Sequence, residues 1–231
     1  MNDKVVIVTG ACGALGQEVA RRLAATGAKL ALIDAAPAAP AGFQSEHAAH
    51  LVLLGVNLAD TSATQKMVEE VLERYKKIDA VVNIAGGFRW ESIADGDVAT
   101  WDLMYTMNLK TSLLTIKAAL PALLATGSGR IVNIGAGAAA KAAQGMGAYA
   151  ASKSGVLRLT EALAEEGKDR GLTVNAILPG IIDTPANRND MPFADFSRWV
   201  TPSAVADVVA FLLSDAARAI TGAGIPVTGR L

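Results

Sequence analysis

The sequence predicts an α/β chain of the doubly wound kind, a parallel sheet with helices on both faces. Three observations carry that expectation. Short β-branched runs alternate with helical patterns throughout. A glycine-rich turn, Gly10-x-x-Gly13-x-x-Gly16, joins the first apolar run to the first helical one. Hydrophobic residues make up 52% of the 231 positions but aromatic ones only 5%; this core of Ala, Val, Leu and Ile suits buried strands under helices. The length allows one domain with a sizeable core, and no repeat, linker or second domain interrupts the pattern.

In order, Lys4 to Thr9 reads as strand one, and Ala14 to Thr26 as a helix with Leu15, Val19 and Leu23 on one face, closed by Gly27. Lys29 to Ile33 is strand two, ending at Asp34. Residues 35–49 are rich in Ala and Pro without periodicity and read as surface loop. Leu51 to Val56 is strand three, and Thr61 to Tyr75 an amphipathic helix capped by Asp60 or Thr61. Ala80 to Ile84 is strand four, followed by a long helix from Ala99 to Ala125 with a bend expected near Pro121. Arg130 to Ile134 (strand five), Gly147 to Lys168 (helix) and Thr173 to Leu178 (strand six) follow. Ser203 to Ser214 gives one more helix, and Ile225 to Thr228 a last short strand.

Composition narrows the function classes. A net charge of −1 gives no electrostatic case for nucleic acid or an anionic membrane. No apolar run approaches the roughly 20 residues of a membrane span. Cys12 is the only cysteine, so an intrachain disulfide is impossible and a reducing compartment is expected. No signal-peptide pattern precedes Val5-Val6-Ile7-Val8, and a cytoplasmic location is the expectation. His47 and His50 lack the companions of a metal site, so no metal is expected.

The motifs point to redox chemistry on a dinucleotide. Gly10, Gly13 and Gly16 allow a tight turn and close backbone approach to a pyrophosphate, while the helix opening at Ala14-Leu15 aims its first N–H groups at the anion. With the strand before it and Asp34 at the end of the next, the loop reads as a Rossmann dinucleotide site. Asp34, 18 residues past Gly16, is placed to accept hydrogen bonds from both adenosine ribose hydroxyls; the plainer alternative is a cap on its own turn. Its charge repels the extra phosphate of NADP, and no Lys or Arg lies in the loop or directly after Asp34, so NAD(H) is the expected cofactor. Tyr149-x-x-x-Lys153 puts a phenol and an ammonium one turn apart on a helix face. A cation beside a phenol is expected to lower its pKa, although such pairs also arise by chance.

The glycine loop, Asp34, Asn83-Ile84-Ala85-Gly86, Asn108, Tyr149-x-x-x-Lys153 and Pro179-Gly180-Ile181-Ile182-Asp183-Thr184 occur in this order over nearly the whole chain. The set resembles the short-chain dehydrogenase/reductase family. That resemblance implies Tyr149 as general acid/base, Lys153 as the group that tunes it and holds the nicotinamide ribose, and Asn108 as the holder of a relay water. It further implies Leu15 in the phosphate loop, Asn57 and Leu58 at the adenine, and Asn83, Ala85 and Gly86 along the ribose. Ile182 and Thr184 would stand at the carboxamide, with Pro179 and Gly180 also among the cofactor-binding residues. By the same likeness the 99–125 and 147–168 helices pair across subunits in a homodimer or homotetramer that acts on a small-molecule substrate.

The chain departs from the family pattern at three positions. Ile84 replaces a second Asn and Asn57 an acidic residue, both mild changes. Ala136 stands where the family carries a serine that holds the substrate carbonyl, a loss worth about 3 kcal/mol for an oxyanion donor. Ala136 and the stretch from Asp183-Thr184-Pro185-Ala186-Asn187-Arg188 to Trp199 resemble the dihydropteridine reductase family, which implies a conjugated acceptor with no alkoxide to stabilise. A segment at about 185–200 would then be a lid over the substrate, or else a packed loop with Met191, Phe193, Phe196 and Trp199 turned inward. Phe88-Arg89-Trp90 either stacks a flat substrate or forms a surface contact. An NADH-dependent reductase of a conjugated acceptor, a carbonyl reductase or alcohol dehydrogenase without the serine, and a non-catalytic NAD(H)-binding protein all remain open.

Overall fold

The structure is a computed structural model and describes residues 1–230. The apolar runs become strands β1 (Val5–Thr9), β2 (Lys29–Ile33), β3 (Leu51–Leu53), β4 (Ala80–Asn83), β5 (Arg130–Ile134), β6 (Thr173–Pro179) and β7 (Gly224–Val227). They form one parallel sheet in the order β3-β2-β1-β4-β5-β6-β7. Side chains alternate along each strand, so β1 sends Val6 and Val8 to one face and Val5 and Ile7 to the other. The first face is covered by α1 (Ala14–Ala24) and, after six further helices, α8 (Pro202–Leu212), through Leu15, Val19, Leu23, Val205 and Val209. On the second lie α3 (Thr61–Tyr75), α5 (Thr111–Ala125) and α6 (Gly147–Gly167), through Met67, Val71, Ile116, Leu123 and Leu163. This is the expected doubly wound Rossmann arrangement in a single domain. Strand order reverses between β1 and β4, which opens a crevice beyond their carboxyl ends.

Local chemistry sets the helix starts. Asp60 caps α3 by accepting from the Ala63 amide at 2.7 Å. Thr184 caps α7 (Pro185–Asp190), and Thr201 caps α8; in both a proline occupies the first turn, where its missing N–H has no partner to lose. Among the described residues, no helix is long and apolar enough to cross a membrane.

Three expectations need correction. The 35–49 stretch is not wholly surface loop: it holds the short helix α2 (Phe43–Glu46), with Phe43 and His47 buried beneath it. Two isolated inward residues in an Ala/Pro background leave too little periodicity to read. Strand β3 stops at Leu53, because Gly55 turns the chain at φ +68° and the Val56 amide goes to the Asp34 carbonyl. The long helix is not one α-helix bending at Pro121, which lies inside α5. It is α4 (Val98–Met104), a π-helical turn (Tyr105–Lys110) and then α5. An inserted π turn leaves no mark on hydrophobic spacing, and such turns favour functional sites.

Candidate active site

The crevice is a cleft of about 960 Å³. Its floor is the β1–α1 turn. A Cβ on Gly16 would stand 2.1 Å from the Gly10 carbonyl oxygen, and Gly10, at φ +66°, would bring one within 2.8 Å of the Ala85 nitrogen. Only glycine fits either place. Gly13, the N-cap of α1, has no side chain to occupy the first N–H groups, and the first turn carries no acidic residue, so the helix end is open to an anion. Asp34 lines the cleft with one carboxylate oxygen accepting from the Cys12 amide (2.8 Å) and the other from Ala36 (2.9 Å). The expected cap is therefore real, and each oxygen retains a lone pair for a ligand. Burial and the neighbouring Asp34 push the Cys12 thiol up to about 11, so it stays protonated.

Tyr149 and Lys153 rise from the first turns of α6 into the same cleft. Lys153 is buried and donates to the Ile134 carbonyl at the end of β5 (2.8 Å), with its ammonium 5.9 Å from the Tyr149 ring centre. The expected lowering of the phenol pKa is absent in the protein by itself. Burial pushes Tyr149 up to about 12 and pulls Lys153 down to about 8. Desolvation disfavours both charged forms, and at this distance the cation does not offset it.

The side chain of Asn108, on the π turn, works as a clamp. Its amide oxygen accepts from the Gly87 N–H (2.9 Å), and its amide nitrogen donates to the Gly87 carbonyl (3.1 Å) and the Ser152 hydroxyl (2.9 Å). Ser152 in turn donates to the Tyr149 carbonyl (2.7 Å). Both amide N–H groups are thus spent on the strand-four turn and the tyrosine helix. A Cβ on Gly86 would lie 2.5 Å from the Asn108 oxygen, so any larger residue there would push the clamp aside. Ser152 and Gly87 belong to this site, yet sequence reasoning assigned them no role. The short Tyr-x-x-Ser-Lys spacing was the available signal for Ser152.

The remaining expected residues divide. Leu15, Asn57, Leu58, Ala85, Ile182 and Thr184 line the cleft with the glycine loop. Asn83, Pro179 and Gly180 do not. The Asn83 amide is buried and donates to Asn133 (2.8 Å), which donates to Thr160 (2.9 Å), forming a polar chain beneath the site. Pro179 ends β6, and the Gly180 amide bonds the Val227 carbonyl of β7. Both position the loop that presents Ile182.

The 185–200 segment divides too. Pro185, Ala186 and Asn187 line the cleft, Trp199 is buried in the body, and Phe193 is fully exposed. Arg188 clasps Asp183 with two hydrogen bonds (2.5 and 2.8 Å) and lies over the Phe196 ring. Phe88 lines the cleft with its ring edge-on to Tyr149 (4.9 Å, 86°), whereas Trp90 packs outside it. Among the described residues, Asp34 and Lys153 are the only charged side chains lining the cleft. Among the described residues, no group of three or more His, Cys, Asp or Glu is placed to hold a metal.

A closed glycine turn at an open helix end, an oriented carboxylate and a half-buried phenol above a buried ammonium fit a dinucleotide and proton transfer. Comparison with known proteins agrees. A family profile described as short chain dehydrogenase matches residues 4–194. A 3-oxoacyl-[acyl-carrier-protein] reductase of Synechocystis is 33% identical over 99% of this chain and 97% of its own length. An NAD-dependent glycerol dehydrogenase of Listeria innocua is 32% identical over 99% and 94%. The crystal structure of a levodione reductase superposes with a TM-score of 0.90 at 30% identity, covering 99% of this chain and 97% of its own.

Proposed function

The chain belongs to the short chain dehydrogenase family and is an NAD(P)-dependent oxidoreductase; from that premise we propose an NADH-dependent reductase of a small conjugated acceptor, of the quinonoid dihydropterin kind. The observation that carries this reading is the half-buried Tyr149 beside the buried Lys153, with Ala136, rather than a hydroxyl-bearing residue, in the buried turn just after β5. A reduced nicotinamide supplies a hydride and leaves the rest to the chain. Tyr149 gives its phenolic proton to the acceptor nitrogen, and burial keeps that proton in place at neutral pH. Lys153, anchored on the Ile134 carbonyl, holds positive charge near the phenol and would hold the nicotinamide ribose of a bound cofactor. Asn108 acts through the Gly87 turn and Ser152, fixing the height of Tyr149; the water expected at Asn108 stays part of the proposal. Because a C=N acceptor forms no alkoxide, the absent hydroxyl is not missed.

NADH is favoured over NADPH because Asp34, at the end of β2 where the adenosine ribose would sit, has no cation beside it among the described residues of the cleft. Soluble cytoplasmic placement and a homodimer or homotetramer complete the proposal. Mixing the protein with NADH and quinonoid dihydropterin tests it: NADH oxidation well above buffer is expected, and none would remove the pterin assignment. A second reading is a ketone or alcohol enzyme, favoured by the relatives' own names, a 3-oxoacyl reductase and a glycerol dehydrogenase. Turnover on ketones that rises about a hundredfold in Ala136→Ser would favour it instead.

A further inference from the structure

The loop after β4 meets the tyrosine helix at three points. The first two, the Asn108 clamp on Gly87 and the edge of Phe88 on Tyr149, belong to the site described above. The third lies outside the cleft. Trp90 Nε1–H donates to the Gln144 carbonyl (3.0 Å), and the next residue's amide, Glu91, donates to the Gly145 carbonyl (2.8 Å). Gly145 is at φ +73°, and a Cβ there would stand 2.1 Å from Cε2 and 2.3 Å from Nε1 of the indole. The ring is therefore laid flat on a backbone that only glycine leaves open to it. One residue later, Met146 is the N-cap of α6, and Tyr149 follows within the first turn. Trp90 is 60% exposed, so burial alone does not explain its position; two hydrogen bonds and the stack on Gly145 do.

We propose that Trp90 is a specificity-determining positioning residue, a latch that ties the Phe88 arm to the Gln144–Gly145 turn and closes the outer side of Tyr149 against bulky acceptors. The inference rests on the reductase reading and deepens it, since a closed outer wall admits a thin, flat molecule and leaves the 185–187 side as the way in. With Phe88 and the latch on one flank and Ile182 to Asn187 on the other, the acceptor is held edgewise between two walls.

Three variants test it: Trp90→Ala, Trp90→Phe, which keeps the stack but not the hydrogen bond, and Gly145→Ala, which displaces the indole from the other partner. The first readout needs no substrate. Amide exchange at Glu91 is expected to rise about tenfold in Trp90→Ala, while Gly87, held separately by Asn108, stays unchanged. The second is selectivity between a quinonoid dihydropterin with a methyl side group and one with an aryl side group. The ratio of kcat/KM, aryl over methyl, is expected to rise about tenfold in Trp90→Ala and Gly145→Ala, with Trp90→Phe between them and wild type. NADH affinity, read by fluorescence, should stay within about twofold, confirming an intact fold. Unchanged exchange at Glu91 overturns the latch. Faster exchange with unchanged selectivity reduces Trp90 to a structural contact and overturns the specificity role. Wild-type protein that reduces neither pterin sinks the reductase reading instead, and the exchange measurement still decides whether the latch exists.

Discussion

At the scale of single residues, burial governs the chemistry of the Tyr149/Lys153 pair in the cleft. An ordinary lysine titrates at 10.5, but Lys153 in the fold is held to about 8. Between those values the unfolded chain binds more protons, so stability rises with pH from about 8 to 10.5, and the penalty is fully present below 8. It amounts to about 3 kcal/mol. Tyr149 works the other way: the native phenol keeps its proton to about 12, so stability falls as pH climbs from about 10 towards 12. Urea unfolding of Lys153→Met at a series of pH values should show the gain between about 8 and 10 abolished. Tyr149→Phe should cut acceptor reduction by about a hundredfold or more while NADH binding, measured by fluorescence titration, is retained. Replacing Asp34 with Ala should erode the preference for NADH over NADPH by about tenfold in kcat/KM, since the repulsive charge at the ribose is gone; unchanged selectivity would contradict its role.

At the scale of elements, the π turn matters more than any helix beside it. It carries Asn108, whose amide binds both backbone groups of Gly87 and the hydroxyl that steadies Tyr149. Asn108→Ala would leave those groups partly unpaired in a dry site, at a cost of about 2–3 kcal/mol, read as a lower urea midpoint with unchanged slope. Activity should fall beyond what the lost stability explains, because Tyr149 loses its height over the cleft. Sequence periodicity reached the bounds of α3 and narrowed its cap to Asp60 or Thr61, of which the structure uses Asp60, since an amphipathic stripe and a capping side chain are local signals. It did not reach the π turn, whose apolar residues keep the spacing of an ordinary helix. Nor did it place Asn83, whose buried bond to Asn133 joins residues 50 apart.

At the scale of the molecule, two apolar layers sandwich the sheet, and the site lies where the strand order reverses. Outside those layers, Ile93, Val98, Trp101 and Tyr105 remain exposed around α4 and the π turn. Such a band on a chain of this size favours self-association. Sedimentation at micromolar concentration should find a dimer or tetramer, and charge substitutions at Val98 and Trp101 should shift it to monomer; a wild-type monomer would remove the oligomer from the proposal.

The order of strands and helices, the glycine turn, Asp34 and the Tyr149/Lys153 spacing were all written in the sequence, because each depends on contacts within a few residues or on a periodicity the chain displays. Phe88 against Tyr149, Trp90 on Gly145, the work done by Asn108 and Ser152, and the state of the phenol itself were decided by the tertiary structure. Those depend on which distant groups meet and on how much water is left between them, and neither quantity is defined until the chain has folded.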